Sequence, residues 1–372
     1  MQGSPFPKII LVLVLVVGAF VGLFFLRTAK RVPPTAPAPV AAAAPTTPVH
    51  PDFPTAPPRP DVLASTNGET DIPNCPLTRA QIEAWLAKHH RDARSLLAAF
   101  RTSHDTNYLN EAATNFPGDA GVQISVLAHD EFPADRRKWL DALKTSSPSN
   151  SFANYLSAQD YFKNGQTDLA VQELLAASAK PEFDSHDVAN ILDAQEMYQE
   201  SGLPETQIAG SAMGDMAEDN MPELSTLKQL DSAMADLMKQ KNADGDNESA
   251  LNVATMGMQL AHDIDSGDSG KFSINNLVAR AIEGKFVSQL DPNTTYDFLD
   301  NQTPAQVQQQ LAVDKADFKQ TLGQFQTVQF GLYQDPAAMN AYMQRMLIYG
   351  EPAAMKWAVQ QYPPPAPPAS GQ

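Results

Sequence analysis

Residues 151–181, SFANYLSAQDYFKNGQTDLAVQELLAASAKP, constrain this chain more than any other stretch. Phe152, Tyr155, Leu156, Ala158, Tyr161 and Phe162 fall on one helical face. Gly165 breaks the pattern, and Leu169, Ala170, Leu174 and Ala177 form a second face. Two short amphipathic helices joined by a glycine turn cannot bury both apolar faces against each other alone. The hairpin therefore requires further helices packed on it.

The ends have a different composition. Residues 9–26, IILVLVLVVGAFVGLFFL, are 18 consecutive apolar or small residues. As a helix they reach about 27 Å at about 1.5 Å per residue, enough to cross a bilayer. Arg27, Lys30 and Arg31 follow at once, where a cleaved signal would have a small-residue cleavage site, so the run reads as an uncleaved membrane anchor. Gly18 and Gly22 form a GxxxG spacing that would let two such helices approach and make a homodimer. Residues 1–8 are a short tail before the anchor.

Eleven of the 30 prolines lie within residues 33–60 and five within 363–368. Residues 27–74 are thus expected to be a flexible Pro/Ala-rich linker, and 363–372 a disordered Pro-rich tail. A short tail, an early anchor and a long tether resemble bacterial envelope proteins whose bodies are exported. On that resemblance the chain is a single-pass inner (cytoplasmic) membrane protein with its body on the periplasmic side. The basic residues flanking the anchor, Lys8 before it and three after it, favour the opposite orientation.

The formal net charge is −17, and residues 74–372 hold 21 basic against 39 acidic side chains. Such a surface repels phosphate backbones, so nucleic acid is not an expected partner. Cys75 is the only cysteine, which excludes an intrachain disulfide and any multi-cysteine metal site.

Helix signals recur through the body. Thr78 with Gln81 is a capping box ahead of Ile82, Trp85, Leu86 and His89. Further helices are expected over 95–100, 108–113, 136–143, 188–200, 224–238 and 250–262, with Gly202 and Gly245 as stops. Pro304, Pro336 and Pro352 each stand at an expected first helical position, the first two behind Thr303 and Asp335. No segment alternates apolar and polar residues for long, so no sheet is expected.

The hairpin resembles the tetratricopeptide repeat, a 34-residue two-helix unit. Counted from Ser151, the residues Ala158, Tyr161, Ala170 and Ala177 fall on that family's small-aromatic-small-small positions. Leu174 takes a large apolar place, and Pro181 lies one residue early for the closing proline. Asn154 and Ser157 stand where the family prefers tryptophan and leucine. Gly165, Gly202 and Gly245 recur at intervals of 37 and 43 residues, which fits an irregular array.

The resemblance implies an all-α fold, an irregular solenoid of helix-turn-helix pairs over 75–270, with a C-terminal helical region over 271–362 packed on it. It also implies a concave surface that captures a peptide or partner protein, with Phe152, Tyr155, Gln159, Phe162 and Lys163 at the positions facing it. Ala158, Tyr161, Gly165, Ala170, Leu174 and Ala177 would then hold the repeat together.

No catalytic motif emerges, and no cofactor is implied. DSGDSGKFS, residues 265–273, has Asp265 and Phe272 where a phosphate-binding loop needs glycine and a hydroxyl. Asp244, Asp246 and Glu248 lack the glycine and the final glutamate of a calcium loop. His89 and His90 are adjacent and would diverge on a helix, and the pairs His129-Asp130, His186-Asp187 and His262-Asp263 make no dyad by sequence alone. Twelve of the 13 methionines lie from Met197 onward at helical spacings that suit core filling. An enzyme or small-ligand site, the competing class of function, would have to lie in residues 271–362.

Overall fold

A computed structural model describes residue 72 and residues 75–362, apart from 219 and 220. The anchor at 9–26 with Gly18 and Gly22, most of the linker, and the Pro-rich tail lie outside the described residues. No helix among the described residues is long and apolar enough to cross a membrane.

The described residues form fifteen α-helices and no strand. The fold is all-α, with isolated β-bridges only, at Asn150–Glu182 and Tyr296–Gln302. The helices are α1 (Arg79–Lys88), α2 (Ala93–Ser103), α3 (Thr106–Asn115), α4 (Ala120–Ala128), α5 (Arg136–Ser146), α6 (Phe152–Lys163), α7 (Thr167–Ser178) and α8 (Asp187–Glu200). They continue as α9 (Glu205–Glu218), α10 (Pro222–Ala243), α11 (Asn247–Ile264), α12 (Ser273–Val287), α13 (Pro304–Gln334), α14 (Pro336–Tyr349) and α15 (Glu351–Gln361).

The starts follow side-chain caps. Thr78 and Gln81 form the capping box of α1, and Thr303 with Gln306 repeats it at α13. Asp92, Asp119 and Asp335 each accept a backbone N–H at the start of α2, α4 and α14, satisfying donors that a helix leaves open. Gly165, Gly202 and Gly245 have φ of +71°, +82° and +75°, the left-handed conformation that lets the chain reverse after α6, α8 and α10. The third proline signal differs from expectation. Gly350 is the cap of α15 and Glu351 opens it, so Pro352 is the second helical residue.

Helices adjacent in sequence pack together in α2/α3, α4/α5, α6/α7, α8/α9, α10/α11, α11/α12 and α14/α15. The pairs do not simply stack in sequence order. α10 and α11 lie on α6 and α7, but α8, the helix that follows α7 in sequence, returns to α2. α9 packs on α14, which ties the C-terminal region to the front of the body. In a strict solenoid each unit touches only its neighbours. Here contacts more than 90 residues apart close the array, as at Thr102, whose hydroxyl bonds Asp215 at 3.1 Å, 113 positions away. The same carboxylate accepts the buried Tyr198 hydroxyl at 2.8 Å, so α2, α8 and α9 share one polar knot.

A second long-range clamp fastens α1. Glu200 accepts Trp85 Nε1 at 3.0 Å, lies 2.6 Å from His89 Nε2, and pairs with Lys88 at 3.0 Å. Gln81 Nε2 donates to the Ser201 carbonyl at 3.0 Å. Trp139, Tyr198, Phe152, Phe272 and Phe286 are among the largest fully buried side chains, and Met234, Met238, Met339, Met343 and Met346 fill gaps in the same core.

α13 is longer than the sequence signals suggested, at 31 residues or about 46 Å. No proline interrupts it before Asp335-Pro336. Its N-terminal Val307 joins Val287 and Leu299 in a small separate cluster, while Phe325, Val328 and Leu332 enter the main core.

Candidate functional site

The loop after α7, residues 179–186, leaves the hairpin and is pinned across the start of α6. Ser151 N–H donates to the Glu182 carbonyl at 2.7 Å, and Asn150 bonds both backbone groups of Asp184, at 2.8 and 3.0 Å. Ser149 Oγ holds the Glu182 carboxylate at 2.6 Å. Phe183 is thereby folded inward, its ring edge-on to Phe152 at 5.4 Å and tilted against Tyr155 at 6.2 Å.

Between this loop and the last turn of α11 lies an open cleft of about 570 Å³. One wall is Lys180, Pro181, Glu182, Phe183 and Asp184. The other is Gln259, His262 and Asp263, continuing through Ser266, Gly267 and Asp268. The lining thus holds four carboxylates and one ammonium; Lys271, outside the lining, pairs with Asp268 at 2.7 Å, and Lys180 is turned to the Asn150 carbonyl at 3.2 Å. Burial lowers the pKa of that ammonium, with Lys144 adding to the effect and Glu173 opposing it.

Asp263 is 6% exposed and fully partnered from the protein side. It accepts the Tyr155 hydroxyl at 2.8 Å, the Ser151 hydroxyl at 3.1 Å and Gln259 Nε2 at 2.7 Å. Burial, then the neighbouring Asp263 charge, raises the pKa of the Tyr155 phenol far above its ordinary value, so it remains a donor. This bond ties α6 to α11 and forms the back of the cleft.

The structure redistributes the residues expected to face a partner. Phe152 and Tyr155 are buried, Gln159 and Phe162 are half-buried, and Lys163 is exposed. The physical reason is that Phe183 of the 179–186 loop and Asp263 of α11 close over Phe152 and Tyr155, while α10 packs on α6 and its Gln229 meets Gln159 Nε2 at 3.3 Å. The five residues therefore do not line one free groove, which corrects the expectation for Phe152 and Tyr155. Ala158, Ala170, Leu174 and Ala177 are buried between α6, α7 and their neighbours, and Gly165 makes the turn. Tyr161 is half-buried with the Arg137 guanidinium 3.9 Å above its ring.

The other motifs take structural places. Asp246 caps α11 at Ser249 N–H and pairs with Lys241 at 3.2 Å. Ser269–Lys271 forms a short 3-10 turn, and a Cβ at Gly270 would lie 2.1 Å from the Asp265 carbonyl oxygen. His186 sits at φ +67° near Asp184. In residues 271–362, Glu351 accepts the Ser273 N–H at 2.9 Å, Arg280 pairs with Asp314 at 2.6 Å, and Lys285 pairs with Asp231. Each of these holds one helix to another.

Sequence reasoning identified the hairpin but missed the cleft beside it. Its two walls are about 80 residues apart in sequence, and the only local hint was the turn-forming run from Lys180 to His186. No family model, curated protein or solved structure matches the chain.

Proposed function

We propose that the chain is a membrane-tethered interaction or scaffold module that holds a basic segment of a partner protein in the acidic cleft between the 179–186 loop and α11. The observation that carries this reading is the cleft lining, in which Glu182, Asp184 and Asp268 outnumber Lys180, with Lys271 paired to Asp268 at 2.7 Å and Asp263 behind them held by Tyr155, Ser151 and Gln259. A peptide bearing Lys or Arg would find carboxylates for its charges and Phe183 for its aliphatic stems.

The apolar run at 9–26 serves as the anchor and the Pro/Ala-rich stretch as the spacer in this reading, with the body on the exported side of a bacterial inner membrane. The tetratricopeptide-like unit serves as the rigid hairpin on which the cleft is built. The peptide then binds beside the hairpin instead of along the face of α6.

The test is peptide binding by the full-length chain in detergent. A Lys/Arg-rich fluorescent peptide is expected to bind, to weaken as salt rises, and to outcompete an acidic peptide of equal length. Glu182→Gln with Asp268→Asn should weaken binding by about tenfold, in line with about 1.4 kcal/mol from two partly exposed charges. Equal binding of the basic and acidic peptides, or no change in the double variant, refutes the reading. Protease accessibility of the body in intact spheroplasts tests the sidedness separately.

A further inference from the structure

We propose that His89, Glu196 and Glu200 form a binding site for one divalent transition-metal ion, zinc by the chemistry of the donors, at the seam between α1 and α8. This site is separate from the acidic cleft and does not depend on the proposed peptide.

One donor atom from each of the three residues can be chosen so that all lie within 4.8 Å of one another. Glu196 and Glu200 are one turn apart on α8 and so share a face. His89 caps the C-terminus of α1, with its ring 4.5 Å from that of Trp85. The stacked ring presents Nε2 to Glu200, 2.6 Å from Oε2.

Zinc bonds to nitrogen and oxygen are about 2.0–2.2 Å, so tetrahedral donors stand roughly 3.3 Å apart. The His89–Glu200 separation is 2.6 Å and all three donors lie within 4.8 Å, so small rotamer changes would bring them to that spacing. One imidazole and two carboxylates suit zinc or its first-row neighbours better than calcium or magnesium, which prefer oxygen alone. Three protein donors would leave a fourth position for water.

The cations now on these carboxylates can yield. Lys88 is 62% exposed, so its pair with Glu200 is worth little. Arg94 bonds Asp193 as well as Glu196, so it keeps a carboxylate when Glu196 turns to a metal. Trp85 Nε1 on Glu200 orients that ligand from outside. A bound ion would join α1, the first helix of the described body, to a helix more than 100 positions away.

The experiment titrates the full-length chain, in detergent and stripped of metal, with Zn²⁺ by calorimetry and with Co²⁺ by visible absorption. About one equivalent should bind saturably. His89→Ala and Glu200→Gln should each weaken binding by more than the 10–100-fold typical of losing an outer partner of a metal ligand. His90→Ala should leave it unchanged, because that neighbouring imidazole points elsewhere. Lys88→Ala keeps all three donors and removes the competing ammonium, so it should tighten binding several-fold. Absence of saturable binding, an unchanged cobalt spectrum in His89→Ala, or unchanged or weaker binding in Lys88→Ala overturns the proposal. The lysine variant decides the matter if His89→Ala loses helix content.

Discussion

Replacing Tyr155 by phenylalanine removes one oxygen from the centre of the molecule and leaves the packing intact. The ring stays against Phe183, while Asp263 loses its 2.8 Å donor and retains Ser151 and Gln259. A hydrogen bond to a charged acceptor contributes about 1.5–3 kcal/mol. Asp263 is 6% exposed but borders the open cleft, so water can take the vacant place in part and the whole of that range applies. With a urea m-value of about 3 kcal/mol/M the unfolding midpoint should fall by roughly 0.5–1 M at unchanged slope. The phenol is protonated across the working pH range, so the loss should be the same at neutral and alkaline pH. Tyr161→Phe is the control, since that ring is half-buried and stacked under Arg137; it should stay within about 0.5 kcal/mol. Combining Tyr155→Phe with Asp263→Asn should show a coupling of about 1 kcal/mol or more. A Tyr155→Phe variant as stable as the parent refutes the account of this bond. One that loses partner binding at unchanged stability places Tyr155 on the recognition surface instead.

Lys285→Met should cost about 2–3 kcal/mol by urea unfolding. It strands Asp231, which is 3% exposed with Oδ1 already lacking a partner, though the lysine end of the pair is open enough to moderate the loss. Burial raises the Asp231 pKa, so its contribution to stability is full below its unfolded value of 3.8 and declines as pH rises. The variant should therefore be penalised less at pH 5 than at pH 8, and adding Asp231→Leu should recover most of the loss; no recovery refutes the argument. Gly257→Ala puts a Cβ 2.2 to 2.5 Å from ring atoms of the fully buried Phe286. Overpacking of about 1–3 kcal/mol outweighs the roughly 1 kcal/mol gain in helix propensity, so the melting temperature should fall, and a rise refutes the close contact.

The helices were legible because their ends are written in single residues. Thr78 with Gln81, Asp335 before Pro336, and the glycines at 165, 202 and 245 act locally, and the backbone obeyed them. Lateral arrangement has no such signature. The apolar stripe of α8 is satisfied equally by α7 or by α2, and the choice of α2 depends on distant groups such as Thr102 and Asp215. For the same reason the pattern at Phe152 and Tyr155 could not distinguish a face that awaits a partner from one already covered by Phe183 and α11. The cleft and the His89–Glu200 seam are both made by segments far apart in the chain. Neither leaves a spacing that a sequence can display.

The clamp on α1 also determines how the body responds to a pull on its N-terminal end. Tension entering through residue 75 reaches α1 first, and the contacts that resist it are those of Trp85, Lys88 and His89 on Glu200 and of Gln81 on Ser201, with Arg79 on Asp105 and the Tyr108 hydroxyl on Glu83 tying α1 to α3. The contacts on Glu200 and Ser201 end within one turn of the C-terminus of α8 and the other two end at α3, so the force is spread over α3 and the α8/α9 pair before it can reach the central hairpin. Under tension α1 is thus a mechanical fuse: it peels away and lengthens the reach of the chain while the cleft between α6 and α11 keeps its shape.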